Sequence, residues 1–233
     1  NGPDFTTVDL EFFAMFIDLT RGGGPAALRI EGFHVINLDV GQTPLPAVIG
    51  GAGASPTFHD CIFTVFGANN GTIGLRLFQN SRAVISNCRF ENVRAAIETF
   101  NGRPTIDNSV IHGAGTGVAV NAGDGTTGCI TSSSVRIVNS TISNCTNGLL
   151  VSGGNFADVE NSILWGNTTQ ISAPIPASVA VSHSDVQGGW PGAGNIDADP
   201  LFVNAVAADY RLTGGSPCID AGDGTIADLS ATD

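Results

Sequence analysis

The stretch Ile137–Ile142, with the sequence IVNSTI, is one of seven copies of a short phrase that recurs along the chain. Each copy places two apolar residues, at its first and last positions, around a polar turn-forming segment. Between the third positions of successive copies the steps are 28, 27, 21, 31, 22 and 22 residues. The other six copies begin at Ile30, Phe58, Ile85, Ile106, Val159 and Val181. A unit this short cannot bury an apolar face alone, so the copies must stack on one another.

A second apolar alternation follows most copies at a near-constant distance. Its central residues are Leu75, Ile97, Val118, Leu149 and Ile171. Short alternating runs between Gly and Asn residues are typical of strands and turns. A repeat near 22 residues has room for three short strands and three bends. The sequence therefore predicts an all-β chain: a right-handed parallel β-helix of seven or more coils, stacked about 4.8 Å apart.

Stacking of equivalent positions predicts continuous columns along the rod. The first and last positions of the phrase predict two apolar columns, and the fourth position predicts an inward slot for small residues such as Cys61, Cys88 and Ser109. The third position holds asparagine in four copies, at Asn87, Asn108, Asn139 and Asn161. Asparagine tolerates the left-handed backbone of a sharp bend, and stacked amides can bond to one another. We interpret this column as a structural asparagine ladder. The alternative is that these asparagines bind a sugar.

Composition limits the partners of the chain. It has no lysine, and its nine basic residues face 21 acidic ones, which gives a formal charge of −12. This balance argues against nucleic acid and anionic membrane surfaces, and weakly against polyanionic sugars. The longest apolar run, residues 12–17, is too short to span a bilayer.

The five cysteines lack the close pairs of a zinc site. Cys61 and Cys88 share one column on neighbouring coils, so their spacing permits either a disulfide or two buried free thiols.

The C-terminal part carries three linked phrases, Asn195–Val203 (NIDADPLFV), Asp209–Leu212 (DYRL) and Gly215–Asp223 (GSPCIDAGD). With the repeats, they resemble right-handed parallel β-helix proteins of the pectate-lyase-like fold, particularly a secreted group abundant in planctomycete-like bacteria. The resemblance implies an extracellular or cell-surface location. It implies no particular reaction, because a fold does not determine an activity.

We expect two parts, with coils over residues 1–189 and an irregular segment over residues 190–233 that packs on the solenoid. The N-terminal coils are expected to be truncated. Their open end would then suit another copy or another chain. The residues expected at that end are Phe5, Leu10, Phe12, Phe13, Phe16 and Ile17.

The resemblance also indicates where catalysis would take place. Pectate-lyase-like enzymes use calcium-binding carboxylates and an Arg or Lys base on the outer face of one sheet, and a lysine base is excluded here. Arg76 and Glu98 are expected to stack on adjacent coils, and a surface ion pair explains them without any catalytic role. The other candidates expected nearby are His59, Arg89 and Asp107.

Four aspartates in the C-terminal segment are candidate ligands for a hard cation: Asp197, Asp199, Asp220 and Asp223. Calcium is possible at such a set, and turn formation in a Gly- and Pro-rich segment is the alternative. No cofactor is required by either interpretation.

We therefore expect a secreted or surface β-solenoid that acts as a structural, adhesive or glycan-binding module, with polysaccharide as a possible partner. The alternative is a polysaccharide lyase or glycoside hydrolase that acts along one face of the rod. The polygalacturonase type needs clustered aspartates from adjacent coils, which the outward columns do not supply.

Overall fold

The computed structural model describes residues 6–9, 17–18, 29–38, 46–50, 55–66, 71–78, 80–121, 132–174 and 178–226. These residues form 24 strands and one turn of 3-10 helix at Ala205–Ala207. Five of the six residues expected at the open N-terminal end, Phe5, Leu10, Phe12, Phe13 and Phe16, lie outside this part of the chain.

Three parallel sheets contain 22 of the strands. Sheet I comprises β3 (Arg29–Glu31), β6 (Thr57–His59), β9 (Val84–Ser86), β12 (Thr105–Asp107), β15 (Ser134–Val138), β18 (Phe156–Glu160) and β21 (Val179–Ser182). Sheet II comprises β1 (Thr6–Asp9), β4 (Phe33–Leu38), β7 (Ile62–Phe66), β10 (Arg89–Glu91), β13 (Val110–His112), β16 (Thr141–Ser143), β19 (Ile163–Trp165) and β22 (Asp185–Val186). Sheet III comprises β2 (Ile17–Asp18), β5 (Pro46–Gly50), β8 (Ile73–Phe78), β11 (Ala95–Phe100), β14 (Thr116–Asn121), β17 (Asn147–Val151) and β20 (Thr169–Ser172). A short antiparallel hairpin, β23 (Phe202–Asn204) and β24 (Asp209–Leu212), follows the coils.

Each coil runs through sheet I, then sheet II, then sheet III, and pairs in register with the coils on either side. Ile106, for example, pairs with Ile85 before it and Ile137 after it. The seven phrases thus form consecutive coils, and β1 and β2 pair with β4 and β5 as parts of an earlier coil. The predicted right-handed parallel β-helix is confirmed.

The core consists of the predicted apolar columns. The first column, from Phe58 to Val181, and the second, from Phe63 to Val186, are buried in every coil after the first. Leu75 pairs with Ile97, which confirms that both belong to the second apolar alternation. Because inward residues alternate with outward ones, the short strands bury one face each and leave the other for polar contacts.

The third-position column forms the corner between sheets I and II. All seven of its residues have positive φ, between 47° and 68°: Gly32, Asp60, Asn87, Asn108, Asn139, Asn161 and His183. This is the left-handed region that asparagine tolerates better than other non-glycine residues. The predicted role of the column in the bend is confirmed.

The amide ladder along this corner is incomplete. Asn108 Nδ2 donates to Asn87 Oδ1 at 2.7 Å, but Asn139 Nδ2 turns to the Asp107 carboxylate and Asn161 Nδ2 to the carbonyl of Asp223. Asn108 is also exposed. The left-handed backbone directs these side chains outward, so the column stabilises the bend mainly through its backbone and not as a buried ladder.

Replacing Asn108 with leucine is expected to lower the free energy of unfolding by about 1–2 kcal/mol, because a larger side chain is strained in the left-handed region. The Asn108→Gly variant should lose less, since Gly32 occupies the same column with φ of 68°. Urea denaturation monitored by circular dichroism would compare the two. Equal midpoints for wild type and the leucine variant would show that this corner does not constrain the backbone.

The inward slot beside this corner contains a second, buried column. The backbone N–H groups of Ser109 and Ser140 donate to Ser140 Oγ and Ser162 Oγ at 3.1 and 3.2 Å, respectively. Each hydroxyl in turn donates to the carbonyl two residues earlier, as Ser140 Oγ does to Val138 at 2.7 Å. Cys61 and Cys88 occupy the same slot as buried free thiols. The serine hydroxyls thus form hydrogen bonds with backbone groups at the corner that have no partner in a neighbouring strand.

Candidate functional site

Arg76 and Glu98 stack on adjacent strands of sheet III, as predicted. Arg76 Nη2 lies 2.8 Å from Glu98 Oε2, and Arg94 Nη2 lies 2.9 Å from Glu98 Oε1. The Glu98 side chain is 9% exposed. Two guanidinium groups therefore bind one carboxylate, so the charge of Glu98 is more than balanced and its oxygens are not free to act as a base.

The remaining catalytic candidates lie on other sheets. His59 and Asp107 end strands β6 and β12 of sheet I, while Arg89 begins β10 of sheet II. Asp107 is completely buried and accepts from Asn139 Nδ2 at 3.2 Å. Arg89 Nη2 donates to the carbonyl of Ala208 at 2.9 Å and its Nε pairs with Glu91. The five candidates are thus spread over three sheets.

The C-terminal aspartates participate in turns. Asp199 Oδ1 accepts from the N–H of Leu201 at 2.9 Å, and Asp223 Oδ1 accepts from the N–H of Thr225 at 2.9 Å. Asp197 Oδ1 accepts from Gly188, and Asp220 has a φ of 57°. These contacts match the turn interpretation of the segment. Within the described residues, the one group of three potential metal-ligand side chains is elsewhere, at Glu31, His59 and Asp60.

A groove between sheet II and the β23–β24 hairpin is the feature that the sequence did not predict. It has a volume of about 410 Å³. The side chains that give it polar and aromatic character are Arg89, Asn108, Asn139, Thr141, Tyr210 and Arg211. Because the first four belong to three successive coils, the groove runs along the rod and crosses several repeats.

Tyr210 is held in the groove wall from three sides. Its ring packs edge-on against Phe202, with centroids 5.0 Å apart, and lies 5.9 Å from the His112 ring. Its hydroxyl accepts from Asn144 Nδ2 at 3.1 Å. The ring is therefore positioned by sheet II as well as by its own hairpin.

The charges of the groove are paired. Arg211 Nη2 lies 2.6 Å from Asp209 Oδ2. The hydrogen bond from Arg211 lowers the pKa of Asp209 to about 2, and the same contact raises the pKa of Arg211. With Arg89 paired to Glu91, both guanidinium groups of the groove have carboxylate partners. Each can still offer N–H groups to a neutral ligand, since a guanidinium has five.

Comparison with known proteins agrees with this architecture. A family model described as right-handed beta helix region matches residues 47–186. The chain belongs to this beta helix family. No curated protein and no solved structure matches the sequence. Among the described residues, no helix has the length and apolar content needed to cross a membrane.

A second cavity, of about 260 Å³, lies where the last coils of the beta helix meet the C-terminal segment. There, Cys218 Sγ donates to Asp185 Oδ2 at 3.1 Å. Burial raises the pKa of Asp185 and raises the pKa of Cys218 to about 12. The thiol stays protonated at neutral pH, so it is not an activated nucleophile. We regard this contact as an anchor for the C-terminal segment.

Glu91 pairs with Arg89, one of the groove residues, and also lies next to His112. His112 Nε2 lies 3.6 Å from Glu91 Oε1, and Arg89 contacts the same carboxylate. The His112 contact, and to a smaller extent Arg89, lowers the pKa of Glu91 from 4.5 to about 2.

Because the folded-state pKa of Glu91 is depressed, its stabilising contribution is complete above pH 4.5 and is lost as the pH falls towards 2. The Glu91→Gln variant is expected to be less stable than wild type at pH 6, with a smaller difference at pH 2.5. Urea midpoints at the two pH values would measure this. A difference that does not depend on pH would contradict the assignment.

Proposed function

We propose that this beta helix is an extracellular or cell-surface solenoid that binds neutral glycans and does not cut them. The observation that supports this most is the groove along sheet II, where one tyrosine ring stands beside a row of amide, hydroxyl and guanidinium groups. The location outside the cell rests on the resemblance described above.

The chemistry of the groove suits a saccharide. An aromatic face can pack against the C–H face of a sugar ring, while amides and hydroxyls offer both donors and acceptors to its hydroxyl groups. Asn108, Asn139 and Thr141 present such groups on neighbouring coils. Asn108 and Asn139 occupy the same position on neighbouring coils, which are about 4.8 Å apart. A linear chain of sugars could therefore meet similar groups at successive positions.

Two features favour a neutral ligand. The chain carries a formal charge of −12, which repels polyanions over long distances. The two groove arginines are already neutralised by Glu91 and Asp209. An acidic sugar would have to compete with those carboxylates for the guanidinium groups.

The same geometry favours binding over catalysis. Asp209 is the one carboxylate among the groove residues in the described part of the chain, and it is paired with Arg211. Glycoside hydrolysis by the usual route needs two carboxyl groups on either side of the scissile bond. Arg89 is the candidate for a lyase base in this groove. Its Nε pairs with Glu91, and its Nη2 donates to the carbonyl of Ala208.

A glycan array, followed by calorimetric titration of the best ligands, tests the proposal. The Tyr210→Ala variant should lose about tenfold or more in affinity, which corresponds to about 1.4 kcal/mol. Phe156→Ala is the matched control, since Phe156 is an aromatic residue on sheet I that is 52% exposed.

Activity assays on the same ligands complete the test. We expect no new reducing ends and no unsaturated product from uronate polymers, with or without calcium. Glycan binding that Tyr210→Ala leaves intact would disprove the groove as the site. Product formation that is lost in Arg89→Ala would instead establish the lyase alternative.

A further inference from the structure

A separate group of side chains lies at the corner between sheets I and II, in the coils that precede the groove. Glu31, His59 and Asp60 place one ligand atom each within 4.8 Å of one another. The groove residues begin in the next coil, at Arg89. This group therefore needs an explanation that does not involve the glycan.

The register of sheet I brings the group together. Glu31 pairs with His59, and His59 pairs with Ser86, on three successive strands. Asp60 follows His59 directly and takes the left-handed corner position, with φ of 52°. The His59 side chain is 10% exposed, and the carboxylates of Glu31 and Asp60 are more accessible.

The imidazole of His59 is held in one orientation. Its Nδ1 lies 2.9 Å from Ser86 Oγ, and its Nε2 lies 3.4 Å from Asp60 Oδ2. In the tautomer that donates from Nδ1 to the serine, Nε2 presents its lone pair towards the two carboxylates. A hydrogen bond to the far ring nitrogen is the usual support for a metal-binding histidine.

The fold itself does not require these residue types. The left-handed corner is formed by asparagine in four other coils, at Asn87, Asn108, Asn139 and Asn161. A carboxylate at Asp60 thus adds charge that the corner does not need. In the second position of the phrase, His59 is likewise the one histidine among the seven copies.

We propose that Glu31, His59 and Asp60 bind a divalent transition-metal ion, with Zn²⁺ as the probe. One imidazole nitrogen and two carboxylate oxygens suit zinc, whereas calcium and magnesium prefer oxygen ligands alone. Arg29 Nε lies 2.8 Å from Glu31 Oε2 and balances part of the negative charge. Because Glu31 and His59 belong to different strands, the ion would link the coils of the first two phrases.

Calorimetric titration of the chelator-treated full chain with Zn²⁺ tests this proposal. We expect one ion per chain, and at least a tenfold loss of affinity in His59→Gln and Asp60→Asn. Asp60→Asn should keep the fold, because asparagine is the common residue of that column. Ser86→Ala should lower affinity by about tenfold through the lost support of the ring.

The control is His112→Gln, which removes a histidine that lies 3.6 Å from the carboxylate of Glu91 and, among the described residues, belongs to no group of three potential ligands. It should leave Zn²⁺ affinity unchanged. With Co²⁺ as a spectroscopic probe, the spectrum should show nitrogen and oxygen ligands and no thiolate charge-transfer band. Zinc should also raise the melting temperature of wild type but not of His59→Gln.

Three results would overturn the proposal. They are the absence of saturable Zn²⁺ binding, affinity that His59→Gln leaves unchanged, and a thiolate band that assigns the ion to cysteines. The first would leave Glu31, His59 and Asp60 as an ion-pair group only. None of these outcomes depends on whether the groove binds a glycan.

Discussion

Replacing Phe90 with alanine is expected to lower the free energy of unfolding by about 3–5 kcal/mol. Phe90 is completely buried and stacks on Phe63 of the preceding coil, with ring centroids 4.7 Å apart. The core of each coil packs between those of its two neighbours, and the backbones of the coils are held in register by the sheets. The coils therefore cannot close the cavity that the lost ring would leave.

Urea denaturation of the full chain would measure this loss, with Phe156→Ala as the control. Phe156 is 52% exposed, so its removal should change stability by no more than about 0.5 kcal/mol. A small effect of Phe90→Ala, similar to that of the control, would mean that the second apolar column is not the packed core of the rod.

Replacing Asn195 with alanine is expected to lower the free energy of unfolding by about 2–3 kcal/mol, because three backbone groups would lose their partner. Asn195 Oδ1 accepts from the N–H of Ser184 at 3.1 Å, where the slot column ends. Its Nδ2 donates to the carbonyls of Val181 and Trp190 at 3.0 and 3.1 Å. One side chain thus terminates the buried serine column and holds the C-terminal segment on the last coil.

The Asn195→Asp variant separates these two roles, since a carboxylate keeps the acceptor for Ser184 and loses both donors. It should be no more stable than Asn195→Ala, because its second carboxylate oxygen would replace a donor that lies 3.0 and 3.1 Å from the carbonyl oxygens of Val181 and Trp190. Light scattering should also detect more self-association in the alanine variant, as the last coil becomes less well covered. Equal stability of all three proteins would show that Asn195 does not cap the solenoid.

The coils could be predicted from sequence because their determinants are local. A strand of three residues buries alternate positions, and a corner needs one left-handed residue, so both leave a signal at a fixed place in every repeat. The repeat pattern does not reveal the second corner, between sheets II and III, although that corner also contains a residue with a left-handed backbone in four successive coils. Its residues alternate between asparagine and glycine, as at Asn92, Gly113, Asn144 and Gly166, and this alternation hides the column.

The groove could not be predicted because it depends on contacts between distant parts of the chain. Tyr210 bonds to Asn144, 66 residues earlier, and Arg89 bonds to the carbonyl of Ala208, 119 residues later. Neither contact follows from the repeat. The C-terminal segment has no period of its own, so its sequence does not indicate which sheet it covers.

The proposed metal site at Glu31, His59 and Asp60 is an intermediate case. The repeat alignment places Glu31 and His59 in one column, but it assigns Asp60 to the corner column, whose role is conformational. From the repeat alignment alone, His59 is expected to lie near Arg89 and Asp107 in a polar cluster, and its contact with Asp60 is not expected. The structure places its ring next to Asp60, because the left-handed corner turns the aspartate back towards the end of β6.

The most direct test of the proposed function uses the single tyrosine of the chain, Tyr210. Incorporation of fluorotyrosine gives one ¹⁹F resonance that reports on the groove alone. Titration with a glycan identified on the array should shift this resonance in a saturable manner, with the same affinity that calorimetry gives and with the glycan intact afterwards. A glycan that binds while the resonance stays unchanged, or one that is cleaved during the titration, would contradict the account.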